Sequence, residues 1–255
     1  MAARAGRMRV AALLCLCLAL LGGCARAGTP PPAPYVLIHG GFGGGKGWVQ
    51  VKRRLEAAGH PVFAPTLPGQ AERAGENGPG IRLVTWVDDV VALIRREKLK
   101  HVVLVGHSLG GMVVAGVAER IPGRIAVQVY VDAFLPNDGE SAFDLMPPGG
   151  REMWEKRAQR MGNGWDIPSS NPKAAAMPLA TLSDSLRISD RSALGIPGVY
   201  ILTIDPGMHV DAFSGSADRA RTRGWPVHVL ETGHLPQRTM PNELSDLLLE
   251  AARPR

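Results

Sequence analysis

Cysteine is almost missing from this chain. Three occur in 255 residues, Cys15, Cys17 and Cys24. Beyond position 24 there is no thiol, which excludes a cysteine nucleophile, a thiolate metal site and a disulfide from the bulk of the protein. Aromatic residues are also scarce, at 5% of the chain. No basic run is interleaved with them, so the footprint of a nucleic-acid-binding surface is absent. No helical stretch offers the His/Glu pair of a metal site. The Gly-rich stretch His39–Gly47 lacks the Gly-Lys-Ser/Thr ending of a phosphate loop, because Lys46 is followed by Gly47. Neither a metal nor an organic cofactor is expected.

Long apolar runs are limited to Val10–Leu21, too short to span a bilayer comfortably. Arg4, Arg7 and Arg9 precede it, so residues 1–23 read as a secretory signal. Removing those three arginines from the net charge of +6 leaves +3 for the remainder. Leu21-Gly22-Gly23-Cys24 resembles a bacterial lipobox, which would acylate Cys24 and hold the protein on a membrane. Ala25-Arg26-Ala27 is a rival cleavage site that would release it as a soluble exported protein, and an uncleaved anchor is a third reading. Residues 24–34 include GTPPPAP, a stiff extended spacer.

From Tyr35 onward apolar strands alternate with amphipathic helices. Strands are expected at Tyr35–Ile38, Pro61–Pro65, Val102–Val105, Ile125–Val131, Gly198–Ile204 and Val227–Leu230. Helices are expected at Trp48–Ala58, Val84–Arg96, after Gly110, at Asp211–Arg221 and at Pro241–Ala251. This alternation implies an α/β domain over residues 35–255, with a mostly parallel sheet covered by helices on both faces. Between about 133 and 195 the periodicity weakens and Pro, Gly and Met become frequent, as in an inserted helical cap. Its Trp154 and Trp165 could line a pocket or form the cap's own core.

The chemistry centres on Gly106-His107-Ser108-Leu109-Gly110, set between an all-apolar strand and an apolar helix. A G-x-S-x-G bend between strand and helix projects the Ser108 hydroxyl from the sheet end as a nucleophile. A serine there needs a base, and the base needs an orienting acid. His234 lies in a loop between the last strand and the last helix and is the best-placed base. His107 sits in the bend but cannot reach its neighbour's hydroxyl. Two aspartates end strands on the same rim, Asp205 and Asp132. Asp205 is preferred as the acid and Asp132 is its alternative. The N–H groups of Leu109 and Gly41 are the candidate oxyanion donors.

YVLIHGGFGGGKGW, APTLPGQAER, VVLVGHSLGGMV, VYVDAFLPNDGES, YILTID and ETGH together resemble the α/β-hydrolase superfamily. They are most similar to its branch of small esterases related to plant methyl-ester esterases and hydroxynitrile lyases. The resemblance implies an α/β-hydrolase fold and ester hydrolysis, with Ser108 as nucleophile, His234 as base, Asp205 as acid, and Gly41 and Leu109 around the oxyanion. The acid comes from Thr203-Ile204-Asp205, although the following Pro206-Gly207-Met208-His209 departs from the branch pattern and keeps Asp132 open. The lyases of the branch carry Thr after the loop histidine and Lys after the catalytic one, where this chain has Gly40 and Leu235. The expected activity is cleavage of a small-molecule ester. An amide- or cyanohydrin-cleaving enzyme with the same triad, or a binding lipoprotein without catalysis, are the rivals.

Overall fold

The computed structural model describes residues 31–207 and 212–253. The expected signal 1–23, Cys24 and residues 25–30 of the spacer lie outside the described residues. So do Met208–Asp211, with His209 and the expected helix start at Asp211. The strands are β1 (Tyr35–Ile38), β2 (Val62–Phe63), β3 (Val102–Ser108), β4 (Ile125–Ala133), β5 (Asp166–Ile167), β6 (Met177–Pro178), β7 (Gly198–Thr203) and β8 (Val227–Leu230). Six of them form one parallel sheet in the order β2-β1-β3-β4-β7-β8, and β5 pairs antiparallel with β6. β2 is shorter than the expected Pro61–Pro65. The flanking prolines have no N–H to add to the ladder, and β2 is an edge strand.

The helices are α1 (Val49–Ala57), α2 (Leu83–Arg96), α3 (Gly110–Arg120), α4 (Gly150–Met161), α5 (Ala180–Ser183), α6 (Arg191–Leu194), α7 (Ser214–Thr222), α8 (Pro236–Thr239) and α9 (Pro241–Ala251). The strands are apolar at nearly every position because both faces are covered. Val36, Ile38, Val102 and Leu104 pack with α2, α3 and α7. Tyr35, Leu37, Val103 and Val105 pack with α1 and α9 on the other side. The 3.6-residue spacing of α2 explains its burial: Leu83, Trp86, Val87, Val90, Val91 and Ile94 make one continuous stripe. Its first turn is capped from far along the chain, where Leu83 N–H donates to Asp184 Oδ2 at 3.2 Å.

The chain between β4 and β7 supplies α4, the β5–β6 pair, α5 and α6. Gln128 N–H donates to Pro197 O at 2.9 Å, which docks the returning chain onto β4. With the helices on both faces, the loops at the carboxyl ends of β1, β3, β4 and β8 are left to build a cleft.

Candidate active site

Ser108 ends β3 with φ +55°, a left-handed conformation that a side-chain-bearing residue adopts only under constraint. The constraint is close packing of strand and helix. A Cβ on Gly106 would lie 2.5 Å from Gly110 O, and one on Gly110 would lie 2.8 Å from His39 O. Only glycine fits at either place, so the pentapeptide can fold back on itself. A side chain at Gly40 would likewise meet the Ser108 Cβ at 2.7 Å. The bend leaves Ser108 part-exposed on the wall of a cavity of about 660 Å³.

Asp132 reaches this rim through an irregularity in β4. His107 pairs with Val131 and Ser108 with Ala133, so Asp132 is an extra residue between two matched pairs, with φ +44°. Such a bulge re-aims a side chain that the regular pleat would have fixed. The Asp132 carboxylate is fully buried. Its Oδ1 accepts the Thr203 N–H at 3.1 Å and its Oδ2 accepts Nδ1–H of His234 at 2.6 Å. The expectation that Asp205 pairs with His234 is therefore corrected. The Asp205 carboxylate lies beside Gly233, with Oδ1 3.0 Å from where a Cβ on that glycine would sit, and it is not hydrogen-bonded to the His234 ring. The bulge delivers Asp132 to Nδ1 instead.

Because a carboxylate only accepts, Nδ1 of His234 carries the proton and Nε2 is left with its lone pair. The ring is held from both sides. Phe213 stacks on it at 5.1 Å with a 4° interplanar angle, and the His107 ring lies 4.5 Å away. His107 also donates from Nε2 to the main-chain carbonyl of His234 at 2.6 Å. Burial, followed by the adjacent His234, lowers the His107 pKa to about 3, so its ring is neutral. His107 adjoins Ser108 in the chain and cannot serve its hydroxyl. Its part is to fix the backbone that carries His234, and nothing in the pentapeptide pattern announces that.

The Gly loop after β1 is pinned in the same manner. His39 donates from Nδ1 to Gly40 O at 2.7 Å and accepts the Leu67 N–H at Nε2 at 3.0 Å. Burial lowers its pKa to about 4. Gly41 and Leu109 both line the cavity beside Ser108. Among the described residues neither of their N–H groups donates to a protein acceptor.

The remaining lining is apolar, with Phe42, Phe134, Trp154 and Met177 prominent, and among the described residues it contains no Lys, Arg, Asp or Glu. Trp154 thus faces the cavity, whereas Trp165 is not part of its lining. Among the described residues no three His, Cys, Asp or Glu side chains converge as metal ligands would.

A strand-bend-helix serine, a histidine after the last strand and a sheet-end aspartate share one rim. The chain matches the alpha/beta hydrolase family over residues 35–247. It belongs to that family.

As an α/β-hydrolase it has relatives whose names are those of esterases. It is 44% identical over 115 residues to the carbendazim hydrolyzing esterase of Nocardioides sp. (strain SG-4G), a match covering 45% of this chain and 48% of that protein. It is 27% identical over 256 residues to methylesterase 1 of Arabidopsis thaliana, covering 86% and 95% of the two chains. Among solved structures, an extracellular α/β-hydrolase from a Paenibacillus species superposes with a TM-score of 0.75 at 25% identity, covering 88% of this chain and all of that one. That protein is described as sharing structural and functional homology with tobacco salicylic acid binding protein 2.

Proposed function

We propose that this protein is a serine carboxylesterase acting on uncharged, largely apolar esters through an acyl-enzyme. Ser108 Oγ attacks the ester carbonyl and His234 Nε2 takes its proton. Asp132 holds the imidazole in the Nδ1–H tautomer and stabilises the imidazolium that forms. The N–H groups of Gly41 and Leu109 face the developing oxyanion. His234 then returns the proton to the departing alcohol, and water activated by the same ring releases the acid. The observation that carries this reading is the 2.6 Å contact between buried Asp132 and a histidine that shares a cavity with the strained Ser108.

The substrate class follows from the lining. About 660 Å³ is a drug-sized space, and among the described residues its walls offer no fixed charge to a charged substrate. Gly40 speaks against cyanohydrin cleavage, since a threonine there has no room beside Ser108. Leu235 supplies no cation for a leaving cyanide. The test is hydrolysis of p-nitrophenyl butyrate together with fluorophosphonate labelling. Both should vanish in Ser108→Ala, and turnover that survives this change would exclude the mechanism. Anilide and cyanohydrin substrates, run alongside, should be cleaved far more slowly than the ester.

We further propose that the enzyme is exported and acylated at Cys24, on the strength of the arginine-flanked apolar run that ends in Leu21-Gly22-Gly23-Cys24. Mass spectrometry of the mature N-terminus tests this. An unmodified N-terminus at Gly28 would favour the rival cleavage site.

A further inference from the structure

Gln70 is fully buried in the loop after β2, and none of the roles above uses it. Its carboxamide makes three hydrogen bonds. Oε1 accepts the N–H of Phe42 at 3.1 Å, and Nε2 donates to Gly69 O and to Ala176 O, each at 3.1 Å. Phe42 directly follows Gly41, and Ala176 directly precedes Met177 of β6. Met177 closes the triangle, because its Sδ lies 2.5 Å from where a Cβ on Gly41 would be. One side chain therefore joins the Gly loop to the inserted segment that roofs it.

The backbone on both sides of this link is strained. Phe42 has φ +59° and Ala71, the residue after Gln70, has φ +40°. Neither is glycine, so each conformation persists only because its surroundings impose it. Ala176 O has a second donor, Asn77 Nδ2 at 3.2 Å, so the β6 end of the link is doubly held. The Phe42 end has Gln70 Oε1 as its side-chain acceptor.

We infer that Gln70 is a positioning residue that sets the Gly41 N–H for the oxyanion and couples that setting to closure of β6 over the cavity. The inference rests on the esterase reading above. In the resting enzyme the carboxamide fixes the peptide after Gly41, while the peptide that carries the Gly41 N–H is held at Gly40 O by the His39 ring, so the two bonds together limit the φ and ψ of Gly41 and with them the direction of its N–H. A displacement of β6 that admits an ester would break the Ala176 bond and so loosen the Gly loop. Reclosure restores both together, so the donor is aligned only over an enclosed substrate. An oxyanion donor acts in the transition state more than in the ground state, so its misalignment lowers kcat rather than raising KM.

The test compares Gln70→Met, Gln70→Glu and Asn77→Ala in the full chain on p-nitrophenyl butyrate, with the rate of Ser108 phosphonylation by a fluorophosphonate as a second readout. Gln70→Met keeps the volume and removes all three bonds. Its kcat and phosphonylation rate should each fall about 10- to 100-fold, somewhat less than outright loss of an oxyanion donor costs, with KM within about threefold. Gln70→Glu keeps the acceptor for Phe42 N–H and should recover about tenfold of that loss. Asn77→Ala weakens only the β6 end and should stay within about threefold of wild type.

Gln70→Met at wild-type kcat would overturn the inference. So would Gln70→Glu no better than Gln70→Met, or a loss confined to KM. If Gln70→Met does not fold, Gln70→Glu and Gln70→Leu are compared on the same criteria. Wild type that fails to label at Ser108 would overturn the esterase reading and this inference together, whereas a labelled wild type with an unaffected Gln70→Met would overturn this inference alone.

Discussion

His107 and His234 are 127 positions apart in sequence, and the ring of one donates to the main-chain carbonyl of the other at 2.6 Å. The donor is the residue immediately before Ser108. The bend that presents Ser108 therefore also holds the loop that presents His234. Replacing His107 with Phe keeps the ring but leaves a part-buried carbonyl without its donor. The expected cost is about 1–3 kcal/mol of stability. Turnover should fall about tenfold with KM little changed, and His107→Gln should recover part of both. Thermal melts and steady-state kinetics on one purified set of variants check this.

The two aspartates should separate sharply. Asp132→Asn leaves the packing intact but allows the wrong His234 tautomer, a change that costs on the order of 10⁴-fold in kcat in triad enzymes generally. Asp205→Asn, which leaves the His234 pairing untouched, should cost no more than a few-fold. Equal losses, or the reverse order, would return the acid's role to Asp205.

Gly106 tests the tightness of the bend. An alanine Cβ there would sit 2.5 Å from the Gly110 carbonyl and 2.6 Å from Val114 Cγ2. Backbone cannot move aside as a flexible side chain does. Gly106→Ala should lose about 1–3 kcal/mol or more, read as a lower urea midpoint. Most of its Ser108 labelling should disappear as well. Gly47→Ala is the control, because no atom lies within 4 Å of a Cβ placed there.

Acid should destabilise the fold through two histidines that take no part in proton transfer. His39 and His107 are buried and neutral, with pKa values lowered to about 4 and about 3, whereas an unfolded histidine titrates near pH 6.5. Their folded values lie below their unfolded ones, so the stability they contribute is complete above about pH 6.5. It is lost as pH falls, because the unfolded chain takes up protons that the folded chain refuses. Each group adds a slope of up to about 1.4 kcal/mol per pH unit down to about pH 4. Urea midpoints at pH 7 and pH 5 check the sign, and His107→Gln should remove about half of the slope.

Much of the architecture is legible in the amino-acid order. Strands buried on both faces read as unbroken Val, Ile and Leu runs, and α2 reads from its stripe. The Ser108 bend reads from two glycines that nothing else can replace. His234 reads from its place between the last strand and the last helix. The carboxylate partner of His234 does not read correctly. Thr203-Ile204-Asp205 has the expected pattern, but a carboxylate is aimed by its backbone, and a one-residue bulge at Asp132 leaves no mark in composition or periodicity. His107 and Gln70 escape for a related reason. Each acts through a bond to a distant main-chain atom, and a local pattern cannot reveal where the far partner folds.

The lining of the cavity, uncharged among the described residues, bears on the end of the proposed catalytic cycle as much as on its beginning. The proposed hydrolysis turns a neutral ester into a carboxylate within walls that hold no Lys or Arg among the described residues. An anion in such surroundings is poorly solvated, so the freshly made acid is driven out into water. Turnover should therefore run without appreciable inhibition by its own acid product, even when that acid accumulates to concentrations at which the parent ester would saturate the enzyme.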